Sequence, residues 1–161
     1  MKKCLLVALV LTALAACTPK SANFLLPVND YLVQNFGQAS FGGKVFCAYD
    51  VLGTESRDDR ADVYVWALCG EYYLDNNVLT LGTASSLPVA LYVQESDGKY
   101  NVIDHEFPGD GTAYMPDIQR IFPSDAIQKM CHEHHPDCYN ERATRLENEI
   151  EQKAREYYGL K

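Results

Sequence analysis

Apolar residues fall along this chain in three successive rhythms, and each predicts a different element. The first is continuous. After Met1-Lys2-Lys3, the residues from Cys4 to Ala16 are apolar except for Thr12, and the run closes on Leu14-Ala15-Ala16-Cys17. A membrane-spanning helix needs roughly 20 apolar residues, so this run is too short to remain in a bilayer. A positive start, a short apolar stretch and a small-residue end predict a secretory signal over residues 1–16. The polar stretch after Cys17, Thr18 to Asn23, reads as a tether, so residues 17–23 separate the signal from the folded domain. The second rhythm is helical: Leu25, Val28, Leu32 and Phe36 predict a helix over about 26–36, with Pro27 in its first turn and Gly37 as its stop.

The third rhythm alternates. Lys44–Leu52 and Asp62–Leu74 are rich in valine and aromatics and predict two strands, joined by the polar turn Gly53–Ala61. Val78–Leu81 is a short apolar run, Gly82–Pro88 reads as a flexible loop, and Val89–Gln94 is a further strand. Ser96-Asp97-Gly98-Lys99 is a turn signal, Tyr100–Asp104 is the partner strand, and Asp104–Gly111 closes the sheet. Helical spacing then returns. It predicts helices over Met115–Phe122 and from Ser124, as a cap, to about Cys131. A final helix is capped by Asn140 and stopped by Gly159, with Ala143, Leu146, Ile150, Ala154 and Tyr157 as its apolar stripe.

These elements define an α+β domain over residues 24–161, in which an antiparallel sheet of four to five strands is packed on one face by an N-terminal helix and C-terminal helices. The order resembles cystatin-like or nuclear-transport-factor-like layouts by analogy alone, and fold does not give function. The chain carries 22 acidic and 14 basic residues, for a net charge of −8. Loss of residues 1–16 would remove Lys2 and Lys3 and make it more acidic still. That balance argues against nucleic acid or anionic headgroups as partners.

Leu14-Ala15-Ala16-Cys17 resembles the lipobox of bacterial lipoproteins. The resemblance covers residues 1–17 and implies that the Cys17 thiol receives a diacylglycerol, that the chain is cut just before it, and that Cys17 becomes the acylated N-terminus. Two acyl chains hold a protein stably on a membrane where one does not. Thr18 stands where an aspartate commonly retains such proteins in the inner membrane. The implied location is the cell envelope, and the outer membrane facing the periplasm if the cell has one.

With Cys4 lost and Cys17 lipidated, Cys47, Cys69, Cys131 and Cys138 remain, an even number for an oxidising compartment, with three possible connectivities. Cys131 and Cys138 enclose only six residues. If the first two strands form a hairpin centred near Asp58, Cys47 faces Cys69, Tyr49 faces Ala67 and Val51 faces Val65, on shared faces as an antiparallel pair demands. The expected disulfides are therefore Cys47–Cys69 and Cys131–Cys138.

Four groups of residues invite a functional reading. Between Cys131 and Cys138 lie His132, Glu133, His134, His135 and Asp137. His132, His134, His135 and Asp137 are ligand types for zinc or copper, although the spacing is not His-Glu-x-x-His and a stapled loop needs polar residues regardless. Asp104, His105, Glu106 and Asp110 form a polar cluster without EF-hand spacing or a nucleophile at a readable offset, which makes it a turn. Ser85 and Ser86 have no nucleophile elbow around them. Tyr49, Tyr64, Trp66, Tyr72, Tyr73, Tyr92 and Tyr100 concentrate on the strands and suit an open aromatic binding face. The expectation is a membrane-anchored, non-enzymatic envelope module that binds an envelope protein, peptide or small ligand. A metal-binding lipoprotein using the Cys131–Cys138 loop is the alternative.

Overall fold

The structure is a computed structural model, described over residues 24–130 and 136–161. In chain order it contains α1 (Val28–Asn35), β1 (Lys44–Arg57), β2 (Arg60–Asp75), β3 (Val78–Ser96), β4 (Lys99–Glu106), a 3-10 turn at Gly111–Ala113, α2 (Tyr114–Ile121), α3 (Ser124–Lys129) and α4 (Pro136–Tyr157). The four strands form one antiparallel meander in the order β1-β2-β3-β4. This is the expected α+β fold with the smaller of the two strand counts.

The core of the architecture is β2. Val63, Val65, Ala67 and Cys69 point to one face, where they are buried with Phe24, Val28 and Leu32. Tyr64, Trp66, Leu68 and Tyr72 point to the other, against Ile118, Phe122, Leu146 and Ile150. The helices were expected on one face; instead α1 covers one side of the sheet and α2–α4 cover the other. The reason lies in β2 itself, where Val63 to Gly70 has no polar alternation. A strand apolar on both sides folds only where both sides are covered.

The β1–β2 register carries the expected pairs: Cys47 with Cys69, Tyr49 with Ala67 and Val51 with Val65. The cysteines are joined, with a Cα–Cα distance of 4.1 Å, and both are buried. Beyond Val51 an extra residue, Leu52, bulges from β1. The segment read as a polar turn is therefore mostly ladder, running to Arg57 opposite Arg60 and turning only at Asp58-Asp59, with Asp58 at φ 49°.

β3 departs most from expectation. The run, loop and strand predicted over residues 78–94 are one continuous strand, and Gly82–Pro88 is ladder along β2 rather than a flexible loop. Weak local strand signals are overridden by the strand alongside. Gly82 and Thr83 share the place opposite Glu71 as a bulge, and Pro88 lies where β3 has a ladder neighbour on one side only, the position a sheet tolerates for proline. The β2–β3 turn, Asn76-Asn77, has φ of 50° and 65°, as a two-residue hairpin of the primed type requires.

The helices are shifted at their ends. Ser124 is the first residue of α3, and extended Pro123 rather than Ser124 holds the N-cap place. α4 starts at Pro136, so Asn140 lies inside it rather than capping it; proline's fixed φ suits the first helical turn. Leu146, Ile150 and Ala154 are buried as predicted, but Tyr157 is exposed. Tyr158, just past the helix end, takes its place and donates its hydroxyl to the Tyr72 carbonyl at 2.8 Å. Gly159 stops the helix at φ 68°.

Because the disulfide closes a loop with a sequence separation of 22, its loss frees mainly the unfolded chain. Replacing Cys47 and Cys69 together by alanine is expected to lower unfolding free energy by about 3 kcal/mol. Urea denaturation of both forms checks this, and peptide mapping of the unreduced protein must recover the Cys47–Cys69 pair.

Candidate functional site

Glu71 is the residue that sequence reasoning missed. It lies on the α1 face near the end of β2 and is fully buried. Its carboxylate accepts backbone N–H bonds from Ser40 at 2.7 Å, Phe41 at 2.9 Å and Gly43 at 2.7 Å, and the Thr83 hydroxyl at 3.3 Å. Burial pushes its pKa up, but the bonds from Gly43, Ser40, Phe41 and Thr83 outweigh that and hold the carboxyl below its ordinary value. The segment between α1 and β1 is thus wrapped around one carboxylate. Close approach is required: a Cβ on Gly82 would sit 2.9 Å from the Phe41 ring and 3.0 Å from Glu71 Oε2, and one on Gly43 2.3 Å from the Tyr72 carbonyl oxygen. Phe41 in turn stacks on Tyr73, with centroids 5.4 Å apart. The available sequence signal is a lone charge inside the otherwise apolar run Val63–Leu74.

Arg142 has the same character on the opposite face. It is buried on α4, its Nε donates to Asp50 Oδ2 at 3.1 Å, and its Nη1 donates to the Met130 carbonyl at 3.0 Å. Nη2 bonds the Lys129 carbonyl, so the guanidinium serves the carbonyl end of α3. Its centre lies 5.4 Å over the Trp66 ring. Trp66 donates its indole N–H to Ser86 Oγ at 2.9 Å, which accounts for one of the two serines. Ser85 donates to the Phe36 carbonyl at 3.3 Å. Both serines therefore act in structure.

The polar cluster at the end of β4 is divided by strand alternation. His105 faces α1, shares a 2.7 Å hydrogen bond with the Tyr31 hydroxyl through Nδ1, and sits among Phe36 and Phe107. Glu106 faces the other way, accepts from Tyr92 at 3.2 Å and pairs with Arg120. Arg120 also bonds Asp117, whose other oxygen accepts from the Gly109 backbone at 2.9 Å. Asp104 bonds the His105 backbone N–H, and Asp110 precedes the 3-10 turn without a side-chain cap bond. These contacts fix a turn onto α2.

The expected open aromatic face is not formed. Tyr64, Trp66 and Tyr72 are buried, and Tyr49, Tyr73, Tyr92 and Tyr100 are half-buried, because helices lie on both sides of the sheet. Burial, with Glu55 and Asp62 nearby, pushes the Tyr64 phenol up to about 12. A cavity of about 400 Å³ lies between the Leu52 bulge and α3, where Glu55, Asp125 and Lys129 line it. A smaller one of 140 Å³ lies between Phe36, Gln38 and Thr83–Ser85.

Cys17, with the signal and tether, lies outside the described residues, as do Cys131, His132, His134 and His135. Asp137 is exposed in the first turn of α4. Cys138 is disulfide-bonded and so offers no thiolate ligand. Among the described residues there is no group of three or more metal-ligand side chains. Compared with protein-family models, with curated proteins and with solved structures, the chain matches none, so the layout analogies rest on element order alone.

The depressed Glu71 carboxyl fixes the sign of a pH effect. Its contribution is complete above the unfolded value near 4.5 and is lost as pH falls from there through the lower folded value. Denaturation midpoints measured from pH 7 to pH 3 are expected to drop more steeply for the wild type than for Glu71→Gln. At pH 7 the variant is the weaker of the two, since an amide NH2 would face backbone N–H donors. Arg142→Met leaves Asp50 with Arg145 alone and uncaps the Lys129 and Met130 carbonyls at the end of α3; with Asp50 partly solvated, a loss of about 2 kcal/mol is expected by denaturant titration.

Proposed function

We propose that the protein is a lipid-anchored envelope protein of bacteria, exported by residues 1–16, held by acylated Cys17, and acting as a non-enzymatic interaction module. The observation that carries this reading is the buried Cys47–Cys69 disulfide. Built into paired strands, it suits an oxidising compartment, which is where the N-terminal pattern would deliver the chain. Support for a binding rather than a chemical role comes from the residues with catalytic potential. His105 is enclosed by aromatics, Glu106 is engaged by Arg120, and Ser85 and Ser86 bond main chain and indole.

The geometry also favours a display role. Phe24, where the described chain begins, packs against Tyr100 beside the β3–β4 turn. The Asn76-Asn77 turn lies at the far end of β3, roughly 50 Å away at strand rise. The exposed Phe41, Val78 and Leu81 belong to that far end. A lipid at Cys17 would hold them away from the membrane.

Expression with an alkyne-tagged fatty acid in a bacterial host tests the anchor. The wild type is expected to incorporate the tag and sediment with membranes, whereas Cys17→Ser takes up none and fractionates as soluble protein. An untagged wild type cleaved at another bond overturns the reading.

A further inference from the structure

α3 and the middle of β1 do not close on each other. The extra residue Leu52 shifts the ladder between Val51 and Gly53, and the cavity of about 400 Å³ lies between that bulge and α3. Its size falls within the range of small-molecule sites. One side chain ties its two walls together. Arg142 bonds Asp50, the residue before Val51, and the carbonyls of Lys129 and Met130 at the end of α3, so the separation of β1 from α3 is fixed by the fold.

Gly53 supplies a second observation. It lies within β1, where glycine costs backbone entropy, yet it does not adopt positive φ. A Cβ there would meet only ordinary contacts, 3.6 Å from the Tyr64 ring and 3.7 Å from Ala126. Neither backbone conformation nor packing requires glycine at this place. A side chain would extend instead into the space between β1 and α3, and strand glycines often mark the close approach of a ligand.

The lining sets the chemistry. Leu52, Pro123 and Ala126 make aliphatic walls, and Glu55 from β1 and Asp125 from α3 bring carboxylates, against Lys129 as the basic residue. Glu55 stands directly opposite Asp62 in the ladder, and like charges so placed are unfavourable. Burial pushes the Asp62 carboxyl up, and Glu55 adds to this while Arg57 opposes it. Arg57 meets Glu55 at 3.3 Å only as a solvent-exposed pair. The excess of acid over base suits a cation, and the aliphatic walls suit an organic one. We propose that this cavity binds a small alkylammonium ligand, its ammonium held by Glu55 and Asp125 and its hydrocarbon chain against Leu52, Pro123 and Ala126. The site rests on the binding role proposed above and gives it a ligand class, and it does not depend on acylation of Cys17.

Calorimetric titration of the full chain in detergent solution with cadaverine, a five-carbon diamine, reads the outcome. Saturable binding with Kd below about 1 mM is expected, and none with glutarate, which has the same chain length and two carboxylates. Gly53→Val, which fills the cavity, is expected to weaken binding at least about tenfold with a urea midpoint no lower than that of the wild type. Glu55→Gln keeps the shape and is expected to weaken binding about tenfold through loss of a charged hydrogen bond; it decides the matter if Gly53→Val fails to fold. Free lysine separates two sources of the same chemistry, since tighter binding than cadaverine identifies an amino acid and weaker binding a polyamine. No saturable heat at about 10 mM cadaverine, equal binding of glutarate, or a folded Gly53→Val or Glu55→Gln chain that binds as the wild type does overturns the proposal. Such a failure would leave the outcome of the fatty-acid labelling at Cys17 untouched.

Discussion

Two-sided burial of β2 is the constraint on which the rest of the structure depends. A strand with apolar residues on both faces must be sandwiched, and one helix layer cannot do it. α1, before the sheet, takes one side, while α2–α4, after it, take the other, so the two ends of the chain embrace the strand they do not belong to. The same constraint accounts for the disulfide. Cys47 and Cys69 lie on the α1 face, beneath Leu32, where a cross-strand bond both fills space and ties the edge strand β1 to the centre.

Charges in this interior act as fasteners for the parts of the chain with least hydrophobic hold. Glu71 gathers the amides of the segment linking α1 to β1, which has few buried side chains of its own. Arg142 performs the complementary task on the other face, gathering carbonyls at the end of α3 and the carboxylate of Asp50 on β1. An anion captures N–H donors and a cation captures C=O acceptors, and each replaces the water those groups would otherwise need. The bulge of Gly82 and Thr83 belongs to the Glu71 arrangement, because it brings the Thr83 hydroxyl to the carboxylate and leaves room for the Phe41 ring.

Covering both faces moves the free surface of the sheet to its edges. The aromatic residues that the sequence concentrates on the strands become core, and the exposed apolar side chains collect instead around the β2–β3 hairpin. There, among the described residues, no strand pairs with the outer edge of β3 from Val78 to Val89. Any interaction role for this domain is therefore more naturally sought at an edge than on a face.

Much of the local structure was legible in the sequence. Strand alternation and the turn near Asp58 were sufficient to place Cys47 against Cys69, because side-chain period and register fix each other in a hairpin. Helical spacing likewise identified the buried Leu146, Ile150 and Ala154. The candidate site was legible only in part. Asp104 to Glu106 read as one polar cluster because they are adjacent in sequence, yet alternation along β4 sends His105 and Glu106 to opposite layers with unrelated partners. Glu71 and Arg142 gave no motif, since their partners are backbone groups supplied by distant segments. Periodicity determined which side of its own element each residue would occupy. Only the tertiary structure decided what covered that side, which strand kept Gly82–Pro88 extended, and where a buried charge found its hydrogen bonds, because those depend on neighbours the local pattern does not encode.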